Sequence, residues 1–128
     1  MTELMINERP IGSGRPTYVI AEIGFNHEGK VNLGMEMIDA AATTGVDAVK
    51  FQTFKANQLT LESWEHFDLI KHGELDMDAH LKLAQRAKDL ELDFFSTPFS
   101  SDSLGLLEKV GVPAYKIASM DLTNIPLL

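Results

Sequence analysis

Four short and almost wholly apolar runs constrain the fold of this chain more than any other feature of its sequence. They span residues 18–24, 48–54, 94–99 and 114–119. Runs that are apolar enough to be buried on both faces are typical of parallel strands, which are covered by helices on either side. Helical spacing in the intervening segments predicts the order β-α-β-α-β-α-β, and hence an α/β fold with four parallel strands.

Each predicted helix has a capping residue at its start and, where the pattern is clear, a stop signal at its end. The predicted N-caps are Asn32, Asp76 and either Ser100 or Ser101, and the predicted ends lie near Gly45, Leu90 and Gly111.

Two further segments stand outside this alternation. Residues 1–17 are turn-rich and predict a lead-in hairpin or arm. Residues 55–75 form a long insertion after the second strand, where ligands bind in parallel α/β folds, so this segment is a candidate lid with a short helix around 64–71. The alternative is a packed surface excursion buried by Trp64, Phe67 and Leu69.

Length and charge narrow the classes of function. The 128 residues make one ordinary domain, but only about half of the roughly 250 that a β/α barrel needs. Eleven basic against nineteen acidic residues give a net charge of −8, which disfavours nucleic acid and anionic membranes as partners. Cysteine is absent and no long apolar segment occurs, so we expect a cytoplasmic protein.

Ionisable side chains occur in strands that should be buried, where an unpaired charge costs several kcal/mol. Glu22, Lys50 and Lys116 are the three cases, and Gln52 alternates with Lys50 on one strand face. Three hydroxyl residues close the other strands: Ser96, Thr97 and Ser119. Two ammonium groups with oriented hydroxyls predict a site for a small anion such as a phosphate or carboxylate. The alternative is an internal ion pair of Glu22 with a lysine.

The loop after the first strand holds Asn26 and His27 at the same end of the sheet. His27 either faces a ligand or stabilises the loop through a hydrogen bond. The four histidines show no ligand spacing, so the sequence predicts no metal site within the chain.

Four motifs at the strand ends together resemble the N-terminal part of the sialic acid synthase family. They are Ala-Glu-Ile-Gly-Phe-Asn-His-Glu-Gly at 21–29, Asp-Ala-Val-Lys-Phe-Gln-Thr-Phe at 47–54, Phe-Ser-Thr-Pro-Phe at 95–99 and Tyr-Lys-Ile-Ala-Ser at 115–119. The resemblance runs from about residue 18 to residue 128. The motifs do not separate N-acetylneuraminate, legionaminate, pseudaminate and spore-coat polysaccharide synthases from one another.

The resemblance implies a (β/α)₈ TIM barrel that condenses phosphoenolpyruvate with an open-chain N-acetylated amino sugar. The methylene carbon attacks the sugar aldehyde, water adds to the cationic carbon, and C–O cleavage releases phosphate and leaves a nonulosonic acid. A divalent metal, Mn²⁺ or Mg²⁺, polarises the aldehyde. From their positions in these motifs, the resemblance implies that Glu22 is a catalytic or orienting carboxylate and that Gln52 contacts the sugar. The phosphoenolpyruvate ligands that it implies are Lys50, Thr97, Lys116 and Ser119. Asn26, His27 and Ser96 are further candidates.

The resemblance covers only the first half of such a barrel, and the family's metal-binding histidines lie beyond it. We therefore expect residues 18–128 to be an N-terminal half-barrel that is cut within its fourth helix and is inactive alone. An open sheet edge after Ser119 favours a homo-oligomer. The alternative function is a non-catalytic half-barrel that binds a small anion or a partner chain.

Overall fold

A hairpin and a parallel sheet make up the strands of the computed structural model, which describes residues 4–128. The strands are β1 (Leu4–Ile6), β2 (Arg9–Ile11), β3 (Ile20–Gly24), β4 (Ala48–Thr53) and β5 (Asp93–Pro98). Strands β1 and β2 pair antiparallel, whereas β3, β4 and β5 form a parallel sheet with β4 in the middle. The first three apolar runs therefore form parallel strands, as predicted.

Five helices connect and cover the parallel strands in the described part of the chain. They are α1 (Val31–Ala42), α2 (Ala56–Leu59), α3 (Phe67–His72), α4 (Met77–Asp89) and α5 (Ser101–Val110). The side chains of Asp76 and Ser100 cap α4 and α5 as predicted, since they accept hydrogen bonds from the N–H groups of Ala79 and Ser103. None of these helices is long and apolar enough to cross a bilayer.

The predicted cap at Asn32 is wrong. Helix α1 begins two residues earlier in the chain than that cap implies, with Lys30 as the capping position and no side-chain hydrogen bond there. The Gly34 N–H already donates to the Lys30 carbonyl at 3.0 Å, which places Asn32 inside the first turn. A tight loop before the helix therefore starts it without the polar cap that the sequence suggested.

The core lies between the parallel sheet and helices α1 and α4. Phe51 of β4, Ile38 of α1 and Leu83 of α4 are fully buried there, and the rings of Phe51 and Phe94 stack with centroids 5.2 Å apart. Burial of such side chains is the main driving force for this layer. The opposite face of the sheet carries polar side chains.

The predicted fourth strand is not formed. Residues 114–119 contribute one isolated parallel bridge, between Tyr115 and Ser96, with a 3.3 Å hydrogen bond from the Lys116 N–H to the Ser96 carbonyl. Within residues 4–128 no segment pairs with the other edge of this run, so neither its backbone nor its side chains gain the burial that a central strand requires. The expected opening of a fourth helix is instead a 3₁₀ turn at Ser119–Asp121 followed by further turns.

Candidate functional site

Polar side chains project from one face of the parallel sheet near the carboxyl ends of its strands. The register places Glu22 beside Lys50 and Gln52 beside Thr97. Because side chains alternate along a strand, these four residues share the face opposite Val49 and Phe51, which point into the helical layer. Four of the predicted site residues are thus neighbours on the sheet.

Lys50 and Glu22 form an ion pair across β3 and β4. The two partners differ in exposure: the Lys50 side chain is 13% exposed, whereas that of Glu22 is 51% exposed. Burial, together with the nearby Lys116 ammonium, lowers the pKa of Lys50. The pair is therefore a buried cation held against a carboxylate that remains in contact with water.

A bulge in β3 gathers further polar atoms around Gly24. The pairing shifts between Glu22 and Gly24, and Gly24 has a φ of +61°. A Cβ at this glycine would lie 3.4 Å from Glu22 Oε1 and 3.8 Å from the amide nitrogens of both Asn26 and Gln52. The backbone therefore leaves space at the point where a carboxylate and two amides converge.

Lys116 and Ser119 lie outside the three strands that carry this cluster. Lys116 is exposed and its ammonium donates to the Ile117 carbonyl at 2.6 Å. Its backbone N–H bonds the carbonyl of Ser96 on β5, the strand next to the one that carries Lys50, and its charge contributes to the lowered pKa of Lys50. Ser119 is exposed at the start of the 3₁₀ turn.

Ser96 faces the other side of the sheet, which the sequence did not indicate. Its hydroxyl lies 2.6 Å from Thr53 Oγ1, which lies 2.8 Å from His80 Nε2, and His80 Nδ1 lies 2.8 Å from the Asp76 carbonyl. This buried chain of hydrogen bonds ties α4 to the sheet behind the polar face. Only the polar character of Thr53 and His80 in apolar surroundings could have signalled it.

His27 is fully buried and makes the loop-stabilising bond rather than facing the polar cluster. Its Nδ1 accepts a hydrogen bond from the Gly29 N–H at 3.1 Å, while its Nε2 is buried without a partner among the described residues. Burial, reinforced by repulsion from His80, lowers the pKa of His27, and burial likewise lowers the pKa of His80.

These two histidines predict that the chain loses stability in mild acid. Both have folded-state pKa values below the ordinary 6.5, so the unfolded chain binds more protons as the pH falls below that value. The free energy of unfolding should fall by at most about 1.4 kcal/mol per pH unit for each histidine. Urea denaturation between about pH 7.5 and pH 5, above the titration range of the carboxylates, measures this slope.

The variant His80→Gln should flatten the slope, and the exposed-residue control His66→Gln should leave it unchanged. A slope in His80→Gln equal to that of the parent chain would contradict the assignment.

Glu74 connects the two ends of the long insertion after β4 through hydrogen bonds. Its carboxylate accepts hydrogen bonds from the Ala56 N–H at 2.7 Å, from Lys71 at 3.0 Å and from Lys55 at 3.2 Å. Burial alone would raise the pKa of Glu74, but these donors hold it below its usual value. The insertion is therefore folded structure with a defined anchor.

The rest of the insertion does not form a buried excursion. Trp64 is 45% exposed and Leu69 is 61% exposed, which contradicts the expectation that they bury the segment. A cleft of about 590 Å³ instead separates α3 from the loop after β3. Its lining residues are Phe25, Asn26, Glu28, Lys30, Asp68, Leu69 and His72. The sequence predicted the insertion to be a candidate lid but did not predict this cleft.

Gly29 brings the two walls of the cleft together. It has a φ of +71°, and a Cβ there would lie 2.0 Å from the carbonyl oxygen of His72 at the end of α3. Only glycine permits both this backbone conformation and this approach. The loop after β3 and the insertion are therefore packed directly on each other.

The described residues do not fit a resident divalent metal. No group of three or more His, Cys, Asp or Glu side chains in residues 4–128 is arranged to hold an ion. Two of the four histidines, His27 and His80, are buried in the core. The polar groups that these residues bring to the site are ammonium, carboxylate, amide and hydroxyl groups.

Residues 37–128 match the profile of the NeuB family. The chain is 38% identical over 134 residues to the N,N'-diacetyllegionaminic acid synthase of Legionella pneumophila, and 37% identical over 128 residues to that of Campylobacter jejuni. These alignments cover 94% and 89% of this chain, but 38% of each relative. The chain thus spans about two fifths of the length of the relatives that it matches.

The fold agrees with a solved structure from the same group of proteins. The N-acetylneuraminic acid synthetase of Leptospira borgpetersenii, crystallised with citrate, superposes with a TM-score of 0.93 at 37% identity. The superposition covers 98% of this chain and 44% of that one.

Proposed function

The chain belongs to the NeuB family of sialic, legionaminic and pseudaminic acid synthases, and we propose a function on that basis. We propose that the chain supplies one side of the active site of a phosphoenolpyruvate-dependent nonulosonic acid synthase. In this reaction the methylene carbon of phosphoenolpyruvate forms a C–C bond with the aldehyde of an N-acetylated amino sugar. Addition of water and cleavage of a C–O bond then release phosphate.

The single observation that carries the proposal is the pair of lysines beside a partly hydrated carboxylate at the strand ends. Lys50 is mostly buried and Lys116 is exposed close by, within a chain of net charge −8. Concentrating two cations in one place in an acidic chain favours binding of an anion with several negative charges.

We assign roles on this basis. Lys50 and Lys116 bind the phosphate and carboxylate of phosphoenolpyruvate, and the hydroxyls of Thr97 and Ser119 donate to the same groups. Gln52 contacts the sugar, and Glu22 orients or protonates the reacting groups from its position beside Lys50. Asn26 extends the amide surface next to Glu22. A divalent metal would polarise the aldehyde, but no described residue is assigned to it.

We further propose that these strands are the first part of a (β/α)₈ barrel. On the edge strand β3 the polar face of the sheet is exposed, since Ile20 is 39% exposed and the Glu22 side chain is 51% exposed. In a closed barrel this face would become the interior.

The same exposure favours a second candidate function, a half-barrel that binds a partner chain. Val19, Ile20 and Tyr115 are 45%, 39% and 37% exposed at the two edges of the sheet, and open edges promote pairing with another chain. A homo-oligomer formed through these edges would place polar residues of two copies in one site.

Titration with phosphoenolpyruvate followed by ³¹P NMR tests the first proposal. We expect the chain to bind phosphoenolpyruvate at about millimolar strength, roughly 4 kcal/mol, and to bind it more weakly as salt is added. Absence of binding at low salt would contradict the assigned site.

Turnover separates the two candidate functions. With phosphoenolpyruvate, Mn²⁺ and N-acetylmannosamine, we expect no phosphate release by the 128-residue chain, because loss of even one electrostatic stabiliser costs about 10²–10³ in rate. Release that rises with the square of chain concentration would instead mean that a second copy completes the site.

A further inference from the structure

Lys50 is the lysine that the fold shields from water. Its side chain is 13% exposed, whereas all the other lysines within residues 4–128 are exposed. Burial and the nearby charge of Lys116 lower the pKa of Lys50 even though the Glu22 carboxylate stands beside it. A larger share of Lys50 is therefore neutral at neutral pH than for a lysine of ordinary pKa, and only the neutral amine is a nucleophile.

The Glu22 carboxylate is placed to exchange protons with this amine. Its Oε2 forms the ion pair with Lys50. Its other oxygen, Oε1, lies on the side of Gly24, where a Cβ on that glycine would be 3.4 Å away. Because the Glu22 side chain is 51% exposed, a small molecule reaches it from solvent. One carboxylate thus touches the amine and borders open space, as a group that transfers protons must.

A second cation is held next to the strand that flanks Lys50. Phe51, the neighbour of Lys50 on β4, pairs in register with Ser96 of β5. Ser96 forms the parallel bridge to Tyr115, which precedes Lys116. Lys116 is exposed and its charge acts on Lys50, so the ammonium of Lys116 is available to a carboxylate that approaches the Lys50 amine.

We propose that Lys50 forms an imine with the ketone carbon of small α-keto acids, whose carboxylate binds Lys116. An α-keto acid fits because its carboxylate and its ketone are on adjacent carbons, which matches a cation beside a nucleophilic amine. The inference goes beyond the proposed function, in which no bond forms between the chain and a substrate. The imine forms reversibly, so α-keto acids compete with phosphoenolpyruvate for Lys50.

Proton transfer through Glu22 balances the step. Glu22 accepts a proton from the Lys50 ammonium, and the amine nitrogen then forms a C–N bond to the ketone carbon. The π electrons of the ketone move to its oxygen, which takes a proton from the attacking nitrogen through water and becomes the hydroxyl of a carbinolamine. Glu22 returns its proton to this hydroxyl, the C–O bond breaks, and the nitrogen lone pair forms the C=N bond. One water leaves, and neither an oxidant nor a reductant is needed.

Trapping with pyruvate and cyanoborohydride tests the inference. Cyanoborohydride delivers hydride to the imine carbon and leaves a stable secondary amine, which peptide mass spectrometry assigns to one lysine. We expect Lys50 of the 128-residue chain to be labelled about 10²-fold faster than the exposed Lys82, the lower end of what a positioned acid or base contributes. Acetone has the ketone without the carboxylate and should show no such preference. Even labelling of the lysines by pyruvate, or an equal preference with acetone, would overturn the inference.

Two variants assign the roles within the site. Glu22→Gln removes the proton acceptor and Lys116→Met removes the carboxylate partner, and each should slow the labelling of Lys50 by about tenfold or more. The matched controls are Glu36→Gln and Lys109→Met, which make the same changes at exposed helical positions and should leave the rate unchanged. Thermal melts confirm that each variant is folded. Labelling at or above the parent rate in both site variants would refute the assignment.

Phosphoenolpyruvate keeps this inference distinct from the proposed function. It has no ketone, so it cannot form the imine, and where it binds as proposed it should protect Lys50 from pyruvate. If phosphoenolpyruvate binds and Lys50 shows no preferential labelling, only the imine inference fails. If Lys50 is labelled preferentially and phosphoenolpyruvate neither binds nor protects, the imine inference stands and the proposed synthase site fails.

Discussion

The variant Lys50→Met is expected to abolish measurable binding of phosphoenolpyruvate while leaving the chain folded. A hydrogen bond to a charged group contributes about 1.5–3 kcal/mol, so its loss weakens binding by about 10- to 100-fold. Starting from about millimolar affinity, the remaining binding would lie outside the measurable range. Methionine keeps the apolar stem of Lys50 and removes only its charge.

The fold should tolerate Lys50→Met because the partner that remains, Glu22, is exposed to water. Removal of Lys50 leaves Glu22, which is 51% exposed and remains hydrated. We therefore expect the free energy of unfolding to change by about 1 kcal/mol or less, as for exposed pairs. Removing one partner of a fully buried pair would cost about 3–5 kcal/mol instead.

Phosphoenolpyruvate titration and urea denaturation of the same samples distinguish these outcomes. Lys82→Met is the matched control, because it makes the same change in net charge at an exposed position on α4 and should leave binding unchanged. If Lys50→Met bound phosphoenolpyruvate normally but were strongly destabilised, the lysine would serve only to pair with Glu22.

The strand-end cluster could be predicted because it depends on local alternation along each strand. Lys50 and Gln52 are two residues apart in a run that is otherwise apolar, which is enough to place them on one face. The helix caps at Asp76 and Ser100 were predictable for a similar reason, since capping depends on residues within one turn.

Features that depend on contacts between distant segments could not be predicted in this way. Alternation along β5 puts Ser96 and Thr97 on opposite faces, but alternation within one strand does not reveal which of the two faces carries the candidate site. The run at 114–119 has the composition of a buried strand and is nevertheless only bridged to β5, because composition does not reveal whether a second neighbour is present. The cleft depends on Gly29 meeting His72 at the end of α3, and these two residues are 43 apart in sequence.

The contact between Gly29 and α3 gives the second large expected effect. Gly29→Ala would place a Cβ 2.0 Å from the His72 carbonyl oxygen, a backbone atom that cannot rotate away. The left-handed conformation at φ +71° costs about 1–2 kcal/mol for alanine, and forcing apart packed segments costs about 1–3 kcal/mol more. We expect the free energy of unfolding in urea to fall by about 2–5 kcal/mol.

Gly45→Ala separates the two contributions to this loss. Gly45 has a similar φ of +77°, but a Cβ there would meet nothing within 4 Å, so the control carries the conformational cost without the steric one. The difference between the two variants measures the close packing of the loop after β3 on α3. Equal destabilisation of Gly29→Ala and Gly45→Ala would mean that α3 moves away freely. The cleft would then lack a fixed wall on the side of α3.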